Sequence, residues 1–109
     1  MKAIRIVLLL ILLFPVSAFA GNIFGNLKEE GRSVGPGVAV QIKCGGDGPV
    51  GKTDEYGAYS INVPRGRCEL TVNYRGQWTP PFQIASSDDP ARYDFDVVNE
   101  KGQYVLRRR

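Results

Sequence analysis

Two cysteines, Cys44 and Cys68, are the only thiols in this chain of 109 residues. Their spacing is not the C-x-x-C of a redox pair, and two thiolates alone do not hold zinc. The chemistry left to them is a disulfide, if the chain folds where thiols are oxidised. Histidine is absent altogether. That removes Ser-His-Asp and Cys-His catalysis, histidine general bases and histidine metal ligands. Carboxylates are the remaining acid–base candidates. Glu29-Glu30 precedes Gly31 and Asp88-Asp89 precedes Pro90, so both pairs read as turns, while Asp94 and Asp96 share the outward face of one strand. None has the look of a glycosidase pair, and the spacing around Asp47, Asp88 and Asp89 does not match a calcium loop. The expectation is a chain that is not an enzyme, with no catalytic residues, no metal site and no cofactor.

Recognition chemistry concentrates in Tyr74-Arg75-Gly76-Gln77-Trp78-Thr79-Pro80-Pro81, which joins two strand-like segments and holds the only tryptophan. Trp, Tyr and Arg anchor interfaces and stack on sugars. Trp78, Tyr74 and Arg75 are therefore the candidate binding residues, and Tyr56 and Tyr104 are possible extensions of the patch. The competing role for Trp78 is to cap the open end of a small core, which is the expectation for so short a chain.

The elements that must position these residues are strands. Val38, Val40, Ile42 and Cys44 alternate with Ala39, Gln41 and Lys43; Cys68, Leu70, Val72 and Tyr74 alternate with Glu69, Thr71 and Asn73. A period of two marks a half-buried strand, so both sulfurs point into the core. The same pattern runs through Ile23–Leu27, Tyr59–Val63, Phe82–Ile84, Tyr93–Val97 and Gln103–Arg107. Turn signals separate them: Gly35-Pro36-Gly37, Gly45 to Pro49, Asp54 to Gly57, Pro64-Arg65-Gly66, Pro80-Pro81, Asp88-Asp89-Pro90 and Glu100-Lys101-Gly102. Short strands at this spacing predict an all-β sandwich.

The N-terminus predicts export. Lys2 and Arg5 precede the apolar run Ile6–Val16, and Ser17-Ala18-Phe19-Ala20 offers small residues before a cut at Gly21. Charged end, short apolar stretch and A-x-A site make a cleavable signal peptide over residues 1–20; a spanning helix needs about 20 apolar residues. Residues 21–109 then form one domain, with no membrane span after removal of the signal. Loss of Lys2 and Arg5 leaves 12 basic against 11 acidic side chains, a charge of +1. A nearly neutral domain lacks the basic stripe that nucleic acid requires. Arg107-Arg108-Arg109 is the only basic cluster, and it reads as a solvated strand end. The expected location is the periplasm or the outside of the cell, where Cys44 and Cys68 would bridge.

The segment Thr53-Asp54-Glu55-Tyr56-Gly57-Ala58-Tyr59-Ser60-Ile61-Asn62-Val63-Pro64-Arg65-Gly66, with Cys68-Glu69-Leu70-Thr71-Val72 after it, resembles the carboxypeptidase regulatory-like domains of the transthyretin-like, or prealbumin-like, group. Ile23–Leu27 and Pro36–Ile42 extend the likeness over about Gly21–Val98. The resemblance implies a seven-stranded Greek-key β-sandwich (transthyretin-like or Ig-like). Cys68 stands where such domains often carry an aromatic residue. Because the motif encodes turns and core faces, it implies little about function. One transthyretin-like group hydrolyses 5-hydroxyisourate with histidines, which this chain lacks. The functional expectation is an exported, non-enzymatic module for protein interaction or structural support in the bacterial cell envelope, its partner another envelope or secreted protein. The alternative is a carbohydrate-binding module that meets a glycan through exposed Trp and Tyr.

Overall fold

A computed structural model describes residues 19–46 and 48–109. Most of the expected signal peptide (residues 1–18) and Asp47 lie outside the described residues. The seven alternating segments are all strands: β1 (Phe19–Glu29), β3 (Ala39–Lys43), β5 (Ala58–Pro64), β6 (Gly66–Tyr74), β8 (Phe82–Ser86), β10 (Phe95–Glu100) and β11 (Gln103–Arg108). Four short strands join them: β2 (Arg32–Ser33), β4 (Val50–Lys52), β7 (Gln77–Trp78) and β9 (Ala91–Arg92). Among the described residues, no helix is long and apolar enough to cross a membrane.

These strands form two sheets in a sandwich-like arrangement. In the first, β1 is central. One edge of β1 pairs antiparallel with β5, from Phe19↔Pro64 to Asn26↔Ala58, and then with β2. The other edge pairs parallel with β9 and β10, and β10 continues into an antiparallel hairpin with β11. The second sheet is antiparallel in the order β4-β3-β6-β7, with β8 also against β6. The core is one cluster fed by both sheets: Ile23 and Leu27 from β1, Val40 and Ile42 from β3, Leu70 and Val72 from β6, and Phe95 and Val97 from β10. Each such side chain contributes roughly 1.5–3 kcal/mol on burial. The Phe82 and Phe95 rings meet edge to face at 4.9 Å between the sheets.

Gly25 marks the tightest approach. The stretch after β9 crosses it, with the Tyr93 N–H donating to the Phe24 carbonyl at 2.8 Å. The Tyr59 hydroxyl donates to the Tyr93 carbonyl at 2.6 Å. A Cβ at position 25 would overlap that same carbonyl.

The Thr53 hydroxyl and one oxygen of Asp54 hold the turn that leads into β5. The buried Thr53 hydroxyl donates to the Gly35 carbonyl at 2.7 Å and accepts from the Val38 N–H at 3.0 Å. Asp54 Oδ1 accepts from the N–H groups of Tyr56 and Ala58 at 2.8 and 3.0 Å. A short polar side chain that bonds its own backbone further on is a turn former, which is why the motif speaks of fold.

Cys44 and Cys68 are bonded to each other. The β3–β6 register runs Ile42↔Leu70 and Lys43↔Glu69, so the two cysteines occupy the next opposed pair. Their Cα atoms lie 4.2 Å apart, near the spacing of a non-hydrogen-bonded antiparallel pair. The bridge therefore staples neighbouring strands of one sheet, with Cys68 only 1% exposed.

Candidate binding surface

The hairpin that carries the tryptophan is set by Arg75 and Gly76, whose φ angles are +52° and +82°. A two-residue turn with both φ values positive suits the right-handed twist of the flanking strands. It fixes the register Tyr74↔Gln77 and Asn73↔Trp78. Opposed residues share a face of the sheet. Tyr74 belongs to the inward set of β6, so Gln77 turns inward with it, and Trp78 turns outward with Asn73.

That register separates two of the three candidate residues. Tyr74 is buried, and its ring meets Tyr104 edge to face at 5.1 Å. The Tyr74 hydroxyl donates to Glu29 Oε1 at 2.6 Å. Arg75 is exposed, forms an ion pair with Glu29 at 3.3 Å and lies 5.2 Å over the Tyr74 ring. Burial, and then the Glu29 carboxylate, raise the Tyr74 phenol above its ordinary range. Glu29 likewise strengthens the hold of Arg75 on its proton. This end of the sandwich is closed by the Tyr74–Tyr104 pair, so Tyr104 joins the core and leaves the patch.

Trp78 does not cap the core. It is 47% exposed and stands outside the buried cluster. Its backbone is nonetheless held on both sides. After it, the Thr79 N–H donates to the Val72 carbonyl at 2.8 Å, and the Val72 N–H donates to Thr79 Oγ1 at 3.0 Å. Thr79 is 3% exposed. The indole is thus displayed from a fixed strand. The sequence carries part of the signal for this: Arg75-Gly76 after the alternating β6 segment suits a two-residue turn, and counting across such a turn places Trp78 opposite Asn73.

Outward neighbours of Trp78 are Asn73 and Thr71 on β6, Ala39 and Gln41 on β3, and Val50 and Lys52 on β4. Asn73 and Thr71 are half-buried, and neither side chain is hydrogen-bonded to another described residue. Tyr56 is 72% exposed but sits in the turn before β5 and not on this strand row.

Of the carboxylates weighed above, Glu29, Asp88, Asp94 and Asp96 have structural partners. Asp88 pairs with Arg65 at 2.6 Å. Asp94 accepts the Asn26 N–H at 2.9 Å and pairs with Arg92 at 2.8 Å, and Asp96 pairs with Arg109 at 3.1 Å. A shallow cleft of about 290 Å³ opens where β1 and β10 diverge, lined by Glu29, Glu30, Gly31 and Asp96 to Asn99. Beyond Asp96 the β10 edge facing it has no strand partner among the described residues.

No family model matches the chain, and no curated protein does. Among solved structures, the fold resembles part of a "putative carbohydrate binding protein" from Bacteroides uniformis. The TM-score is 0.56 at 21% sequence identity, over 72% of this chain and 41% of that one. This chain therefore spans about two-fifths of the length of the structure it resembles, and at that identity the likeness concerns the fold alone.

Proposed function

We propose that this chain is an exported, non-catalytic binding module of the carboxypeptidase regulatory-like kind, with the seven-stranded Greek-key plan of the transthyretin-like group. It works in the periplasm or outside the cell, presenting its surface to another envelope or secreted protein. One observation carries the reading: the only tryptophan is half-exposed on a strand whose backbone is bracketed by the Asn73 pair and the Thr79–Val72 hydrogen bonds. A large aromatic held on the surface and absent from the core is available to anchor a partner. The open β10 edge beside Glu29–Gly31 supplies a second place for a partner strand to add. The disulfide agrees with an oxidising compartment.

A second reading, a carbohydrate-binding module, is favoured by the half-buried Asn73 amide and Thr71 hydroxyl beside Trp78, both unpaired among the described residues. An aromatic face flanked by hydrogen-bonding groups suits a sugar ring. The description of the Bacteroides uniformis protein leans the same way. The test is Trp78 emission and acrylamide quenching, followed as the exported chain is titrated with a polysaccharide panel or with envelope proteins. The expected free-state emission is red and readily quenched, becoming protected in one of the two titrations. Protection in neither, with Trp78→Ala indistinguishable from wild type in both, sinks the binding-module reading.

A further inference from the structure

The strand register builds one continuous row across the outer face of the second sheet: Trp78 on β7, Asn73 on β6, Ala39 on β3 and Lys52 on β4. Strands lie about 4.8 Å apart, so the backbone of Trp78 and that of Lys52 are roughly 14 Å from each other. Thr71, Gln41 and Val50 form the next row, and Glu69 and Lys43 lie in the one after it. Small Ala39 leaves the middle of the first row low and uncharged. Charge enters at the periphery, from Lys52, Lys43 and the outward Arg67. Glu69 is the only acid of these rows; it lies opposite Lys43 and accepts from Gln83 Nε2 at 2.9 Å, which leaves its charge in place and Lys52 as the cation of the first row without an opposed acid. No described carboxylate lies within ion-pairing distance of the three cations; the ion pairs of the described residues fall on Arg65, Arg75, Arg92, Arg107 and Arg109.

We infer that this face binds an acidic glycan. The inference rests on the carbohydrate reading above and adds the charge class of the ligand and the face that takes it. A pyranose ring stacks on the Trp78 indole, and its hydroxyls meet the Asn73 amide and the Thr71 hydroxyl. The chain of sugars then crosses the low ground at Ala39 and brings a carboxylate or sulfate to Lys52 or Lys43. A neutral glycan uses the aromatic end and leaves the cations unmatched. Single-stranded nucleic acid needs successive aromatic platforms along a basic groove, whereas this face has one platform and an uncharged middle.

The experiment titrates the exported chain with an oligogalacturonate, an uncharged oligosaccharide of equal length and an oligothymidylate. Calorimetry and the emission of Trp78 are read together at low and at physiological salt. The oligogalacturonate is expected to bind at least about tenfold more tightly than the neutral oligomer and to weaken with salt. Trp78→Ala abolishes that binding. Lys52→Gln and Lys43→Gln each weaken it roughly three- to tenfold and flatten its salt dependence, while Arg107→Gln on the other sheet leaves it unchanged. Thermal melts of all variants confirm the fold. Equal affinity for the acidic and neutral oligomers, with Lys52→Gln silent, overturns the charge class and leaves the carbohydrate reading standing. Binding of neither oligosaccharide overturns both, and tighter binding of the oligothymidylate overturns the inference in favour of nucleic acid.

Discussion

Reducing the Cys44–Cys68 bridge gives the sharpest test of how this fold is held. The cysteines are 24 positions apart, and closing a ring of that size removes unfolded-chain entropy equal to about 3.5 kcal/mol at room temperature. The bonded pair continues the Ile42↔Leu70 and Lys43↔Glu69 register, so breaking it leaves the β3–β6 ladder and the core contacts in place. The loss therefore falls mainly on the unfolded state. A single domain of this size carries about 5–15 kcal/mol in total, and each kcal/mol moves the melting temperature by about 4–8 °C. Reduction should lower the melting temperature by roughly 15–25 °C, with a folded far-UV spectrum retained below the new transition. The assay is urea unfolding with and without reductant, alongside a Cys44→Ala/Cys68→Ala chain. The midpoint falls in both, and the urea dependence steepens because an unbridged unfolded chain exposes more surface. A stability difference under about 1 kcal/mol would refute the reasoning: the unfolded chain would then be held compact by something other than the bridge.

Gly25→Ala forces a methyl into the Tyr93 carbonyl that accepts from Tyr59, and should cost roughly 1–3 kcal/mol; an unchanged urea midpoint contradicts that close approach. Thr79→Val removes the acceptor of the Val72 N–H at a buried site, for a loss of about 1–3 kcal/mol that Thr79→Ser largely restores. Burial, with Asp94 nearby, raises the Tyr59 phenol far above its ordinary value of 10.0. The folded chain then holds a proton that the unfolded chain releases, so the stabilisation is complete below about pH 10. It is lost as pH climbs from there toward the folded value, by up to about 1.4 kcal/mol per pH unit. Urea midpoints between pH 9 and 11 should fall more steeply for wild type than for Tyr59→Phe, and parallel curves argue against the raised phenol. In the free chain, Trp78→Phe should change stability by less than about 0.5 kcal/mol, since the indole lies outside the core.

How much of this was legible follows the range of the forces involved. The seven long strands stand in the alternation of Val38–Cys44, Cys68–Tyr74 and their counterparts, because which side of a strand is buried is written residue by residue. The missed strands β2, β4, β7 and β9 are two or three residues long, too short to display a period. Asp54 was legible as a turn former for the same local reason, its side chain bonding backbone two and four positions on, whereas the Thr53 hydroxyl reaches Gly35 and Val38, a contact that only the packed sheet supplies.

Tyr74 and Trp78 show where the reading became incomplete. They sit four residues apart in one aromatic segment, yet a two-residue turn reverses the chain between them and sends one ring inward and the other outward. The parallel pairing of β1 with β9 and β10 lies further out of reach, since both edges of β1 are alike in sequence terms and only the packed sheets select which strand takes each. So the sequence by itself determined the strand faces, the inward phase of both cysteines and the absence of histidine chemistry. Tertiary structure alone decided the mixed sheet around β1, the closure of one end by Tyr74 and Tyr104, and the alignment of Ala39 and Lys52 with the Asn73–Trp78 pair. Burial preference is a property of each residue, whereas register is a competition among distant edges that is settled only when both sheets close over a common core.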